Sequence, residues 1–171
     1  MTWNFLTNDQ KIKTKILDID QNITDGTINE ILETGDKQKH RTNIRGSMTD
    51  FRTTTPYLSV LKKIISENIE YEKFIIRNFW GHYLTGNDHI SPHNHLWDGS
   101  TKEKIPRAKA FVFYIDVPVG SGEIYFNDYG IEILPKNNQL MLFDCDVMHE
   151  VLPNYDAKIK RISCAGNLTV L

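Results

Sequence analysis

Residues 73–96 read KFIIRNFWGHYLTGNDHISPHNHL. The run Lys73–Leu84 is rich in aromatic and β-branched residues. Thr85-Gly86-Asn87-Asp88 then breaks it, and His89–Leu96 follows. Two such runs around a Gly-Asn turn read as two strands. The same pattern continues toward the C-terminus in Ala108–Val117, Glu123–Phe126, Ile131–Leu134, Gln139–Phe143, Met148–Leu152 and Lys158–Leu171. Turn signals separate these runs: Pro118–Gly122, Asn127–Gly130, Pro135–Asn138 and Pro153-Asn154. Short strands with such punctuation predict an all-β sandwich or jelly roll rather than alternating β/α units.

Upstream the character differs. Lys11–Ile19 alternates loosely and reads as a strand, and Thr27–Leu32 reads as a short helix approached by Asp25-Gly26. Gln38–Thr55, rich in Arg, Thr and Asn, reads as a loop. The clearest helix is Pro56–Glu70. Leu58, Leu61, Ile64, Ile65 and Ile69 form one apolar stripe, and Pro56 suits a first turn, where its missing N–H costs little. The stripe predicts an N-terminal helix packed outside one sheet. The length of 171 residues suits a single domain, with residues 1–72 as helical and loop support and 73–171 as the β core.

Composition narrows the function classes. The net charge of −2 and the scattered Lys and Arg residues give no electrostatic case for nucleic acid, which calls for a basic excess or stripe. No apolar run approaches the roughly 20 residues of a membrane span, so no membrane partner is expected. The opening Met-Thr-Trp-Asn-Phe-Leu-Thr lacks the basic and apolar regions of a secretory signal. Cys145 and Cys164 form neither a CxxC pair nor a disulfide framework, and a reducing cytoplasm is the expected setting. Nothing in the composition indicates an oligomeric state.

Four of the six histidines fall within His82–His95. Side chains two apart on a strand share a face, so His93 and His95 present two imidazoles together. Imidazole is the commonest metal ligand among side chains. His149, where Asp144-Cys145-Asp146 turns the chain after an apolar strand, is the candidate third ligand. The plainer reading makes these residues hydrogen-bonded polar groups at strand ends. That reading is kept for His40, His82 and His89, which lack a matching partner.

The last strand carries a second signal. One face holds Ile159, Arg161, Ser163, Ala165 and Asn167, and the other Lys160, Ile162, Cys164 and Gly166. Hydrophobicity does not choose between them. If Arg161 points inward, its guanidinium needs a buried partner, and a bound carboxylate matches its fork, with Ser163 adding a hydroxyl. If it points outward, it belongs to a solvated basic edge with Lys158 and Lys160.

Taken in order, Trp80–Gly86, Ser91-Pro-His93-Asn-His95, Ala110–Ile115, Leu134-Pro135, Leu140–Phe143, His149–Pro153 and Arg161-Ile-Ser163 with Asn167 resemble the Fe(II)/2-oxoglutarate-dependent oxygenase superfamily. The likeness is to its small prolyl-hydroxylase-like and phage-associated forms, and it spans about half of the chain. The family pattern is a His-x-Asp/Glu pair, a distal His and an Arg-x-Ser; twelve positions separate His149 from Arg161. The resemblance implies a mainly β chain folded as a double-stranded β-helix (jelly roll). It implies Fe(II) held by His93 and His149, and 2-oxoglutarate held at its distal carboxylate by Arg161 and Ser163. Tyr83 and Tyr114 would be further cosubstrate contacts. The implied reaction uses O₂ to hydroxylate an unidentified substrate while 2-oxoglutarate is decarboxylated to succinate.

One position departs from the pattern. His95 stands where the family carries its carboxylate ligand, which leaves the site one negative charge short of the usual facial triad. Asp98 is the rival ligand from the adjoining loop, and Asp144 and Asp146 are more distant ones. Two other classes remain open: a cupin-like three-His metalloprotein independent of 2-oxoglutarate, and a metal-free structural jelly roll. The segment Arg41–Thr55 either covers the metal mouth and selects the substrate or merely connects.

Overall fold

The computed structural model describes residues 2–37, 43–51, 53–96 and 105–171. In chain order its elements are β1 (Asn4–Phe5), β2 (Ile12–Ile16), α1 (Gln21–Thr34), β3 (Asp36–Lys37), β4 (Ile44–Arg45), β5 (Ser47–Met48), α2 (Pro56–Glu67), β6 (Phe74–Thr85), β7 (His89–His93), β8 (Ala108–Asp116), β9 (Ile124–Phe126), β10 (Ile131–Ile133), β11 (Gln139–Asp144), β12 (His149–Val151) and β13 (Lys160–Val170). Among the described residues the strands form two antiparallel sheets. The larger runs β1-β2-β11-β8-β13-β6-β5-β3 and the smaller β10-β9-β12-β7-β4. Facing sheets built from such non-consecutive neighbours make a jelly roll. No helix among the described residues is long and apolar enough to cross a membrane.

Strand alternation sorts the larger sheet into two faces. One face of β6, β8, β11 and β13 carries Phe79, Phe111, Phe113, Leu140, Leu142, Ile162 and Cys164, and it packs beneath both helices. The other face points into the sandwich, where Val112, Tyr114, Met141 and Phe143 meet Ile124 and Phe126 of the smaller sheet. This settles the last strand: Ile162, Cys164 and Leu168 lie under the helices, while Arg161, Ser163 and Ala165 face the interior. Both faces are buried, and the helical layer covers the one that carries Ile162, Cys164 and Leu168.

Among the described residues the helical layer holds two helices. α1 begins at Gln21, earlier than the short helix expected from Thr27, because the Asp20 side chain accepts the Asn22 N–H at 2.8 Å and starts the first turn there. In α2, Leu58, Leu61 and Ile65 are buried as their spacing predicts. Thr55 makes no side-chain cap to α2. Instead Glu30 of α1 accepts the Tyr57 and Leu58 N–H groups at 3.0 and 2.9 Å, which ties the two helices together. Gly81 lets α1 approach β6, since a β-carbon there would collide with the fully buried Ile31.

The N-terminal third is more than helical and loop support. β2 pairs with β11, β5 with β6 and β4 with β7, so this region extends both sheets. Part of the expected loop Gln38–Thr55 is therefore strand.

Candidate metal centre and its cavity

His93 closes β7, and His149 opens β12 directly opposite it in the antiparallel register. A register irregularity follows His149. The turn before it is held by the Met148 N–H donating to Asp128 Oδ2 at 2.8 Å and the Asn127 N–H donating to the Met148 carbonyl at 3.0 Å. His95 lies two residues past β7. Its N–H donates to the Cys145 carbonyl at 2.8 Å, which draws this stretch toward the β11–β12 turn. The three imidazoles thus converge. Ring centroids are 4.3 Å apart for His93 and His149, and 5.2 Å for each pair involving His95. One nitrogen from each lies within 4.8 Å of the others. Phe143 stands beside the His149 ring at 4.7 Å and forms part of an apolar wall.

The protonation pattern suits ligation. His93 Nδ1 contacts the Ser91 carbonyl at 2.9 Å, and His149 Nδ1 contacts the Val147 carbonyl at 3.1 Å. A carbonyl only accepts, so each Nδ1 carries the proton and each Nε2 keeps a free lone pair. Burial holds all three histidines below the usual imidazole range, and the neighbouring imidazoles add to it for His95 and His149, bringing His95 to about 3. Neutral imidazole is the form that binds a metal. The cluster contains no carboxylate among the described residues. Asp144 and Asp146 are paired elsewhere, with Lys109 and Lys11. Asp98 and His40 lie outside the described residues.

The cluster lines a cavity of about 190 Å³ between the sheets, which also reaches Tyr114, His82 and Arg161. Arg161 is 1% exposed. Its Nη1 donates to the Gly122 carbonyl at 2.6 Å, and its guanidinium lies 5.2 Å from the Tyr114 ring centre. Among the described residues Nε and Nη2 have no partner, and neither does the Tyr114 hydroxyl. Burial lowers the Arg161 pKa, with Tyr114 and Glu123 opposing the shift. Gly122 permits this anchor, because a β-carbon there would strike the Leu152 and Pro153 carbonyls. Unpartnered buried donors on a guanidinium are costly. A carboxylate entering the cavity would satisfy them, so the residues present fit a dicarboxylate lying between Arg161 and the imidazoles.

One expected contact needs correction. Tyr83 does not face the cavity. It lies on the helix side of β6, where its ring abuts Gly35 and the Lys160 amine sits 5.4 Å from its centre. Strand alternation places it opposite in facing to His82. Ser163 does face inward, but its hydroxyl pairs with His82 Nε2 at 3.0 Å. His82, expected only as a hydrogen-bonded polar residue, is 3% exposed and lines the cavity. The signal for it is the cross-strand partnership of His82 with Ser163, visible only once β6 and β13 are in register. Asn43, Ile44 and Phe51, from the segment read as a loop, also line the cavity, and Phe51 packs edge-on against Trp80 at 4.9 Å. A second, more open cleft of about 690 Å³ adjoins the first and shares His95 and Asn167 with it.

No family model matches this chain, and no curated protein sequence matches it. Solved structures do. The viral collagen prolyl hydroxylase of Paramecium bursaria Chlorella virus-1, in its 2OG complex, superposes with a TM-score of 0.69 at 15% identity, covering 94% of this chain and 97% of that one. A prolyl-4-hydroxylase from Pseudomonas putida gives 0.62 at 15% identity, covering 94% and 93%. HygX from Streptomyces hygroscopicus, with nickel, 2-oxoglutarate and hygromycin B bound, gives 0.67 at 13% identity, covering 96% and 87%. Likeness at this identity speaks to architecture: the chain has the jelly-roll fold of the 2-oxoglutarate/Fe(II) oxygenases.

Proposed function

We propose that residues 1–171 work as one oxygenase domain that hydroxylates its substrate at the expense of 2-oxoglutarate and O₂. The observation that carries this reading is the pairing, within one cavity, of a neutral three-histidine cluster with a buried arginine that has two unpartnered nitrogens. His93, His95 and His149 would hold Fe(II). Arg161 would take the far carboxylate of 2-oxoglutarate, with Tyr114 beside it. When bound, Fe(II) supplies the redox chemistry that couples decarboxylation of 2-oxoglutarate, to succinate and CO₂, with hydroxylation. The chain's own part is to orient the cosubstrate by its far end, keep the ligating imidazoles neutral and exclude water with Phe143, Phe126 and Val112. The adjoining cleft, which reaches the cluster at His95, is the substrate's approach. The two cysteines are buried and unpaired, which suits a reducing cytoplasm.

The experiment is anaerobic addition of Fe(II) and then 2-oxoglutarate. A visible charge-transfer band is expected for folded protein, and its absence would refute the reading. Among the described residues the cluster holds no carboxylate, which favours one other reading, a cupin-like three-His metalloprotein that does not use 2-oxoglutarate. That protein would bind Fe(II) without developing the band, and substitution of Arg161 would leave its activity intact.

A further inference from the structure

We infer that His82 and Ser163 act as one unit, in which Ser163 fixes the imidazole tautomer and His82 Nδ1–H donates to the anionic ligand beside Arg161. The inference rests on the cosubstrate reading above and assigns a residue to that same pocket.

His82 and Ser163 are direct cross-strand partners on β6 and β13, and both are buried. On the other side of β13, Ser163 pairs in register with Tyr114 of β8. His82, Ser163 and Tyr114 therefore form one row across the sheet, one rung from Arg161. Ser163 Oγ and His82 Nε2 are 3.0 Å apart. His82 Nδ1 is buried with no partner among the described residues. Burial and the nearby guanidinium keep the ring neutral, so it carries a single N–H proton.

Two arrangements satisfy the contact with Ser163. If Nε2 holds the proton, it donates to Ser163 Oγ and leaves a bare lone pair at Nδ1 facing any bound anion. If Nδ1 holds it, the Ser163 hydroxyl donates to Nε2 and an N–H faces the cavity. A carboxylate held by Arg161 accepts and never donates, so only the second arrangement is favourable with ligand bound. Ser163 then acts through His82 as a positioning residue rather than touching the ligand itself.

The test uses the full chain loaded with Zn(II), a diamagnetic ion, and 2-oxoglutarate as the probe. Nitrogen NMR of labelled histidine reads which His82 nitrogen is protonated. Titration gives the affinity of wild type, His82→Phe, His82→Gln and Ser163→Ala. Nδ1 is expected to hold the proton in the bound protein, and His82→Phe to weaken 2-oxoglutarate by roughly 10-fold or more, as loss of one hydrogen bond to a charged group implies. His82→Gln, which keeps an N–H donor, should recover part of that loss, and Ser163→Ala should weaken binding less than His82→Phe. Zn(II) affinity should hold in all variants. If wild type binds 2-oxoglutarate and the proton sits on Nε2, or if His82→Phe and His82→Gln both bind as tightly as wild type, this inference fails and the proposed function stands. If wild type binds no 2-oxoglutarate, the proposed function fails and this inference with it.

Discussion

Arg161→Met separates a binding arginine from a structural one, because the two roles predict opposite outcomes. Methionine keeps a long unbranched stem and removes the charge. Without ligand, Arg161 makes one hydrogen bond among the described residues, to the Gly122 carbonyl, and leaves two nitrogens unpartnered there. No described carboxylate forms an ion pair with it. Removing a buried charge in that state relieves a desolvation penalty of several kcal/mol. Against this, the hydrogen bond to Gly122 is lost, about 1.5–3 kcal/mol, and so is the contact with the Tyr114 ring, on the order of 1–2 kcal/mol. The contributions nearly cancel. At about 2–4 °C per kcal/mol for a domain of this size, the Tm of the metal-free variant should stay within about 4 °C of wild type. With cosubstrate the balance differs. Two charge-assisted hydrogen bonds vanish, and even the lower figure of about 1.5 kcal/mol each implies roughly 100-fold weaker 2-oxoglutarate binding. Thermal melts of the metal-free protein and an anaerobic titration of the Fe(II) protein with 2-oxoglutarate measure both quantities. A large fall in Tm with unchanged affinity would show that the arginine is there for the fold and would refute the reasoning.

Three further outcomes are expected. His95→Ala should weaken Fe(II) binding beyond the roughly 10–100-fold that loss of an outer hydrogen bond to a ligand costs, while Asp98→Ala leaves it nearly unchanged; isothermal titration decides, and the reverse order would make Asp98 the ligand. The stability of the metal-free protein should fall with acid. Unfolded histidine binds its proton below about pH 6.5, whereas buried His82 does so only near about 3. Stability from this group is therefore full above the unfolded value and declines as pH drops below it, by about 1.4 kcal/mol per unit. Urea titrations should show that slope reduced in His82→Phe, and an equal slope in both proteins would count against the buried, neutral ring. Gly81→Ala should destabilise by about 1–3 kcal/mol through overpacking against Ile31, although glycine in a strand interior is ordinarily the poorer choice. Pairing it with Ile31→Val should recover part of the loss in Tm, and a gain in the single variant would show that α1 yields easily.

Much of the architecture was legible because it is local. Alternation and turn residues marked the strands from Phe74 onward to within a few residues, and the stripe of Leu58, Leu61 and Ile65 marked α2. Those signals need only the periodicity of a strand or a helix and the backbone preferences of Gly, Pro and Asn. The start of α1 was less legible, because it depends on one side chain, Asp20, accepting a single N–H. So was the strand character of Ile44–Arg45 and Ser47–Met48: two-residue strands carry no period, and only β7 and β6 beside them provide the pairing.

The sequence by itself determined that His93 and His95 stand near one another and that an Arg-x-Ser pair lies on one face of the last strand. For the Arg-x-Ser pair strand spacing sufficed, since side chains two apart on a strand share a side. For His95, two residues past β7, nearness in sequence was legible, but its aim at the cluster comes with the N–H bond to the Cys145 carbonyl. Tertiary structure decided the rest. It set His149 against His93 across 56 positions of chain, turned the Arg161 face into the sandwich while the helices cover Ile162, Cys164 and Leu168, and took Tyr83 out of the pocket while bringing His82 in. A strand's sequence names two faces but not which is inside. That choice is made by what the neighbouring layers can cover, and here it determines which side chains meet the cavity.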